Sequence, residues 1–257
     1  MSDPVMLRVE MISKRFGGLL AVDGASFDAQ AGRITALIGP NGAGKTTLFS
    51  IISGFQPPTS GRVLFEGENI VGVPPHRLAQ RGIARTFQIV QPFAGLTVRE
   101  NIAVGAHLSQ PRRADALAAA DEIAARVGLA GQLDKPAAGL TFAGRKRLEL
   151  ARALALKPRL LLLDEVLAGL NPSEVRDMVP VIRSLVDQGI TVIMIEHIMH
   201  AVMNLAQHVL VLSEGKIIAG GTPGEIAGNP QVVEAYLGRG AAQRMLQAGA
   251  AHGCACA

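Results

Sequence analysis

Several residue types are scarce in this sequence, and each scarcity closes off a class of protein. Tryptophan is absent, tyrosine occurs once, and aromatic residues make up 4% of the 257 positions. Single-stranded nucleic acid is bound on aromatic platforms interleaved with basic side chains. Here the basic residues are dispersed, and the densest groups are Arg112-Arg113 and Arg145-Lys146-Arg147. The net charge of +4 therefore marks no dedicated nucleic-acid surface, and no nucleic-acid partner is expected. The two cysteines, Cys254 and Cys256, stand in the last four residues. A structural zinc site takes four ligands, so this pair reads as incidental spacing near a chain end. Charged residues amount to 18% and apolar ones to 49%, the reverse of a disordered chain, which joins low hydrophobicity to high charge. Long apolar runs are missing too. A spanning helix needs about 20 mostly apolar residues in a row, whereas the longest clean runs here, 160–163 and 190–195, are bounded by charge or glycine. Residues 1–14 carry acids and no apolar stretch, so no signal peptide is expected and the expected location is cytoplasmic.

Short apolar runs are what is present. Runs of this length read as strands covered on both faces, the habit of parallel sheets. Residues 6–11 and 25–29 alternate weakly and predict strands of an antiparallel edge. The run 33–38 ends in Gly39, followed by a glycine-rich loop and the helical start Lys45-Thr46-Thr47-Leu48-Phe49. A turn at 56–61 leads to a short strand at 62–65. From 90 to 157 the texture changes. Residues 115–127 are strong helix formers with an apolar face of Leu117, Ile123 and Val127, and a second helix is predicted over 144–156. This stretch reads as a helical insertion into an α/β core, which resumes at 160–163. Asn171 can cap a helix that has Pro172 in its first position and Glu174 three residues after the cap. Its buried stripe is predicted as Val175, Val179, Ile182 and Val186. Pro180 inside it should bend the helix or cost about 3 kcal/mol. A buried strand at 191–195 and a hairpin of 209–212 with 216–219 follow, and the Ala/Gly-rich residues 238–257 read as a mobile tail.

Two motifs carry chemistry. Gly39, Pro40, Asn41, Gly42, Ala43, Gly44, Lys45 and Thr46 form a G-x4-G-K-T loop between a strand and a helix, with Thr47 next. Glycines let such a loop wrap tightly and aim backbone N–H groups at phosphate oxygens, and the helix adds its positive N-terminal dipole. Lys45 is placed to reach β- and γ-phosphates, and the Thr46 hydroxyl to bind Mg²⁺. The second motif is the apolar run 160–163 ending in Asp164 and Glu165. Asp164 is placed to hold the Mg²⁺ shell, and Glu165 to orient or deprotonate a water that attacks the γ-phosphate.

Combined with Gln88, His197 and the stretch before Ala151, these motifs resemble the ATP-binding cassette (ABC) ATPases over about residues 7–238. The resemblance implies a P-loop NTPase core with an antiparallel β edge subdomain and an inserted α-helical subdomain. The core with its β subdomain would take 1–89 and 158–237, the helical signature subdomain 90–157, and the tail 238–257. It implies ATP and Mg²⁺ as the bound groups. Phe16, followed by Gly17-Gly18, stands where the family stacks an aromatic on adenine. Gln88, in Arg85-Thr86-Phe87-Gln88, matches the glutamine that contacts Mg²⁺ and the attacking water and sits at the hinge of the helical insertion. His197 matches the switch histidine near the γ-phosphate, while His200 and His208 read as structural. Ala168-Gly169-Leu170-Asn171 matches the loop that crosses the dimer interface. The family's signature, Leu-Ser-Gly-Gly-Gln, aligns with Leu140-Thr141-Phe142-Ala143-Gly144. Thr141 keeps the hydroxyl, Ala143 and Gly144 replace Gly and Gln, and a positive φ at Ala143 would cost about 1 kcal/mol. Val166 stands where proline is usual.

Within the family, Arg15-Phe16-Gly17-Gly18, Gly82-Ile83-Ala84-Arg85-Thr86-Phe87-Gln88, Ala168-Gly169-Leu170-Asn171-Pro172 and Glu234-Ala235-Tyr236-Leu237-Gly238 resemble the larger ATP-binding subunit of branched-chain amino acid importers, a group that includes urea, amide and aromatic-acid importers. That implies transmembrane permease subunits and a second ATPase subunit, identical or paralogous, as partners, with the chain peripheral to the inner face of the plasma membrane. The transported molecule never touches such a subunit, so no residue here specifies it. Two alternatives stay open: a weakly hydrolysing regulatory ABC subunit, and a soluble ABC ATPase acting on nucleic acid.

Overall fold

The structure, a computed structural model, describes residues 4–237; the expected tail and both cysteines lie outside them. The strands are β1 (Val5–Phe16), β2 (Leu19–Gln30), β3 (Ile34–Ile38), β4 (Ser60–Phe65), β5 (Glu68–Asn69), β6 (Ile83–Arg85), β7 (Leu160–Asp164), β8 (Thr191–Ile195), β9 (His208–Ser213) and β10 (Lys216–Gly221). The helices are α1 (Lys45–Ile52), α2 (Pro75–Gln80), α3 (Val98–Ala106), α4 (Arg113–Arg126), α5 (Phe142–Leu154), α6 (Pro172–Asp187), α7 (Met199–Leu205), α8 (Pro223–Ala227) and α9 (Pro230–Leu237). One sheet has the order β10-β9-β3-β8-β7-β6, parallel from β9 to β6 with β10 antiparallel at one edge; the other is the antiparallel β2-β1-β4-β5.

Every residue of β3, β7 and β8 is buried, because side chains that alternate across a strand feed a core on each face. Leu37, Leu160, Leu162, Ile193 and Ile195 pack toward α1 and the antiparallel sheet. Ala36, Leu161, Leu163, Val192 and Met194 pack toward α6, α7 and the helices of the 98–154 segment. Each fully buried Leu or Ile contributes roughly 1.5–3 kcal/mol. The register matters for function: Leu37 pairs with Ile195, and Ile195 with Asp164. The loops after β3, β7 and β8 therefore leave the sheet at one edge, the carboxyl end where ligands of open parallel sheets bind.

Three expectations are corrected by packing. Strands β1 and β2 run far beyond 6–11 and 25–29, joined by the Gly17-Gly18 turn; irregular register at four points along the hairpin hides its alternation. Of the face expected for α4, Ile123 and the C-cap Val127 are buried as read, whereas Leu117 is only partly buried and Ala116, Ala120 and Ala124 complete the face. The stripe of α6 is Val175, Met178, Ile182 and Leu185, with Val179 and Val186 at its margin. Pro180 sits on the exposed side of a helix that continues through it, where water can bond the carbonyl it leaves without an amide partner. The Asn171 cap is present: its Oδ1 accepts from the N–H groups of Ser173 and Glu174, and Glu174 bonds back to the Asn171 N–H.

Candidate nucleotide site

The phosphate loop depends on two glycines whose neighbours leave no room for a side chain. Gly39 has φ +151°, and a Cβ there would lie 1.9 Å from the Leu212 carbonyl oxygen. Gly44, at φ +104°, would meet the Ala21 carbonyl oxygen at 2.3 Å. The loop closes on Lys45, whose buried Nζ donates to the carbonyls of Gly39 and Pro40 at 2.8 and 2.9 Å. Burial lowers its pKa, while Glu165 and Asp164 act in the opposite sense.

A groove of about 660 Å³ runs from Phe16 past residues 41–47 to Gln88, Glu165 and His197. Phe16 is 43% exposed at its far end, with the Lys14 ammonium 5.1 Å from the ring centroid. At the near end Glu165 is held from three sides. Its Oε2 accepts from Gln88 Nε2 at 2.7 Å, and its Oε1 shares a 2.9 Å hydrogen bond with His197 Nε2. Its backbone is left-handed, φ +50°, a conformation that costs an L-residue about 1–2 kcal/mol. The Glu165 N–H donates to Ile195, and its carbonyl accepts from Lys146 Nζ and the Ala168 N–H.

Thr46, Gln88 and Asp164 line an adjoining groove. Asp164 is 2% exposed. Its Oδ2 takes a 2.8 Å bond from Arg85 Nη2, and its Oδ1 is buried without a partner. Gln88 gives its amide N–H to Glu165, which leaves its carbonyl oxygen. A hydroxyl, an amide oxygen and an orphan carboxylate oxygen on one wall suit a hard divalent cation whose remaining ligands are phosphate and water.

Thr141, Ala143 and Gly144 are not on this wall. They lie at the start of α5, where Thr141 caps the helix by accepting from the Gly144 N–H at 3.1 Å. Ala143 is within the first turn and is not among the residues with positive φ, so the expected strain is absent. Phe142 covers Gly169: a Cβ on that glycine would lie 2.9 Å from the ring.

Sequence reading gave no role to three charged residues that the fold brings to this centre. Arg85 bridges Asp164 to the hydroxyls of Ser50 and Ser53 on and after α1. Lys146, 2% exposed, reaches the backbone of Glu165 and Gln88. Its one sequence signal is its place in the buried stripe that includes Leu150, Ala153 and Leu154. Glu196 is fully buried; its Oε1 accepts from the Leu167 N–H at 2.8 Å and its Oε2 has no partner. Burial pushes its pKa up to about 7.

Comparison with known proteins agrees with this geometry. The pattern of the ABC transporter family matches residues 22–168, and that of the branched-chain amino acid ATP-binding cassette transporter matches residues 216–242. The chain is 40% identical, over 93% of its length and 99% of the relative's, to the high-affinity branched-chain amino acid transport ATP-binding protein BraF of Pseudomonas aeruginosa. It is 39% identical over the same shares to LivG of Escherichia coli. A crystal structure of the ADP conformation of an ATP-binding cassette of an ABC transporter superimposes with TM-score 0.83 at 34% identity, covering 92% of this chain and 100% of the other. With its phosphate loop, acidic strand end and glutamine and histidine partners in place, the chain belongs to the ABC transporter family as an ATP-binding cassette.

Proposed function

We propose that this chain is the Mg²⁺-dependent ATPase subunit of an ABC importer, one that carries branched-chain amino acids or related small amides and acids. Relatives named for branched-chain amino acid transport support the substrate class. One observation carries the catalytic part: the Glu165 carboxylate is bridged between Gln88 and His197 in the groove walled by the phosphate loop.

Phe16 stacks on adenine. Residues 39–47 wrap the phosphates, and Lys45 exchanges its two loop carbonyls for β- and γ-phosphate oxygens. Thr46, Gln88 and Asp164 hold Mg²⁺, which when bound neutralises charge on the phosphates. The Glu165 carboxylate orients the attacking water and takes its proton, while Gln88 and His197 keep it aimed. Thr141, Ala143 and Gly144 face the nucleotide of a second cassette, identical or paralogous, in a head-to-tail dimer. Residues 90–157 then act as a lobe moved by Gln88 when the γ-phosphate arrives or leaves. Exposed Phe87, Ile89 and Val104 around the groove next to Gln88 support an apolar face for the permease subunits, with the chain on the inner side of the membrane. Among the described residues no helix is long and apolar enough to cross it.

The test is ATP hydrolysis by the purified chain, alone and reconstituted with its permease subunits, in Mg²⁺ and in EDTA. Turnover in Mg²⁺ alone, raised by the permease and coupled to uptake of labelled leucine, is the expected result. A chain that binds no nucleotide in Mg²⁺ overturns the proposal.

A further inference from the structure

Helix α5 presents three polar side chains, each three residues after the last, to the loop that carries Gln88. Lys146 Nζ approaches the Gln88 carbonyl at 3.4 Å, Glu149 Oε1 accepts from the Phe87 N–H at 3.3 Å, and Arg152 Nη1 donates to the Gln91 carbonyl at 3.0 Å. Lys146 differs from the other two because it also donates to the Glu165 carbonyl at 2.8 Å. It thus joins the backbones of two residues whose side chains already bond each other at 2.7 Å. The result is a closed ring: Lys146 to the Glu165 backbone, through its carboxylate to the Gln88 amide, and through the Gln88 backbone to Lys146.

We propose that Lys146 is a positioning residue that fixes the Glu165 carboxylate and Gln88 to helix α5, the helix whose first turn meets the second nucleotide. The inference rests on the reading of Glu165 as the group that activates water. Burial lowers the pKa of the Lys146 ammonium, while Glu196, Glu165, Asp164 and Glu149, arranged around it, act in the opposite sense. Its position is therefore determined on several sides. The Glu165 peptide is the part that needs holding, because φ +50° is a conformation a glutamate leaves readily when its restraints are removed. With Lys146 gone, the peptide relaxes and the carboxylate loses its aim, while Phe16, Lys45 and Thr46 still bind nucleotide. The same tie connects two nucleotide sites: Thr141 caps the N-terminus of the helix, and Lys146 lies little more than one turn further along it. A shift of α5 on engagement with a second cassette is transmitted to Glu165 of this one.

The experiment compares the full chain with K146M, K146Q and K146R. In K146M, kcat for ATP falls at least tenfold while KM and the affinity for a fluorescent ATP analogue stay within twofold. K146R keeps a cation with several donors and stays within threefold of wild type. K146Q takes the place of K146M if the latter melts below the assay temperature. Amide hydrogen exchange speeds up in residues 87–91 and 165–168 of K146M or K146Q and is unchanged in α1. Wild-type kcat in a folded K146M or K146Q, an equal loss of kcat and nucleotide affinity, or unchanged exchange in both loops overturns the proposal. A wild-type chain without turnover sinks the functional reading instead, and the exchange comparison then decides the role of Lys146 in the same protein.

Discussion

Gln88 and Glu165, 77 residues apart in sequence, are joined side chain to side chain at 2.7 Å. Gln88 stands three residues past β6 and Glu165 directly after β7, and the parallel pairing of Arg85 with Leu162 brings the two strand ends together. In the proposed function Gln88 orients the carboxylate through this bond and offers its remaining oxygen to the cation. The Gln88→Ala variant loses that orientation and keeps the carboxylate itself. Its kcat should fall about tenfold, short of the roughly 10²–10⁴-fold that a missing general base costs. Nucleotide affinity measured in EDTA should be unchanged; a loss of affinity without loss of kcat contradicts this role.

Phe16 is half-exposed at the far end of the groove, so removing its ring costs little folding free energy. Base-on-aromatic stacking is worth about 1–3 kcal/mol. The Phe16→Ala variant should bind ATP about 5- to 150-fold more weakly by calorimetry, with an unchanged melting temperature, and Phe16→Trp should restore the affinity. Equal affinity for ATP in the alanine variant removes Phe16 from the site.

Glu196 gives a pH signature. Burial lifts its carboxyl from an ordinary value of 4.5 to about 7. The groups facing it are Lys146 from α5, Glu165 after β7, and the N–H groups of Leu167 and His197. In the unfolded chain it titrates near its ordinary value, so between the two values the native state holds the extra proton. Stability from this group is therefore full below pH 4.5 and is lost as pH rises toward 7, by at most about 3 kcal/mol. The Glu196→Gln variant carries no such proton, and its unfolding free energy should fall less over that window than that of the wild type. Parallel curves for the two proteins contradict the assignment.

How much of this was legible depends on where each residue's environment comes from. Strands β3, β7 and β8 could be read because every residue in them is buried, and composition alone reports that. The phosphate loop and the Asp164-Glu165 pair could be read because their chemistry demands fixed residue types at fixed spacing. Asn171, Pro172 and Glu174 announced the start of α6 through local bonds, and the Thr222 and Glu225 box of α8, which passed unread, is written the same way. The long hairpin could not be read, since its bulges break the alternation. The left-handed Glu165 and the burial of Lys146 and Glu196 could not either. A charged side chain goes inside only when distant partners meet it there, and those partners come from β6, α5 and the turn after β7.

The most direct test of the central claim is ATP turnover and binding by the Glu165→Gln variant. The amide keeps the size of the side chain and can still bond both Gln88 and His197, but it cannot take a proton from water. Turnover should drop about 100-fold or more while ATP affinity stays within a few-fold of wild type. A Glu165→Gln protein that hydrolyses ATP at the wild-type rate contradicts the catalytic assignment.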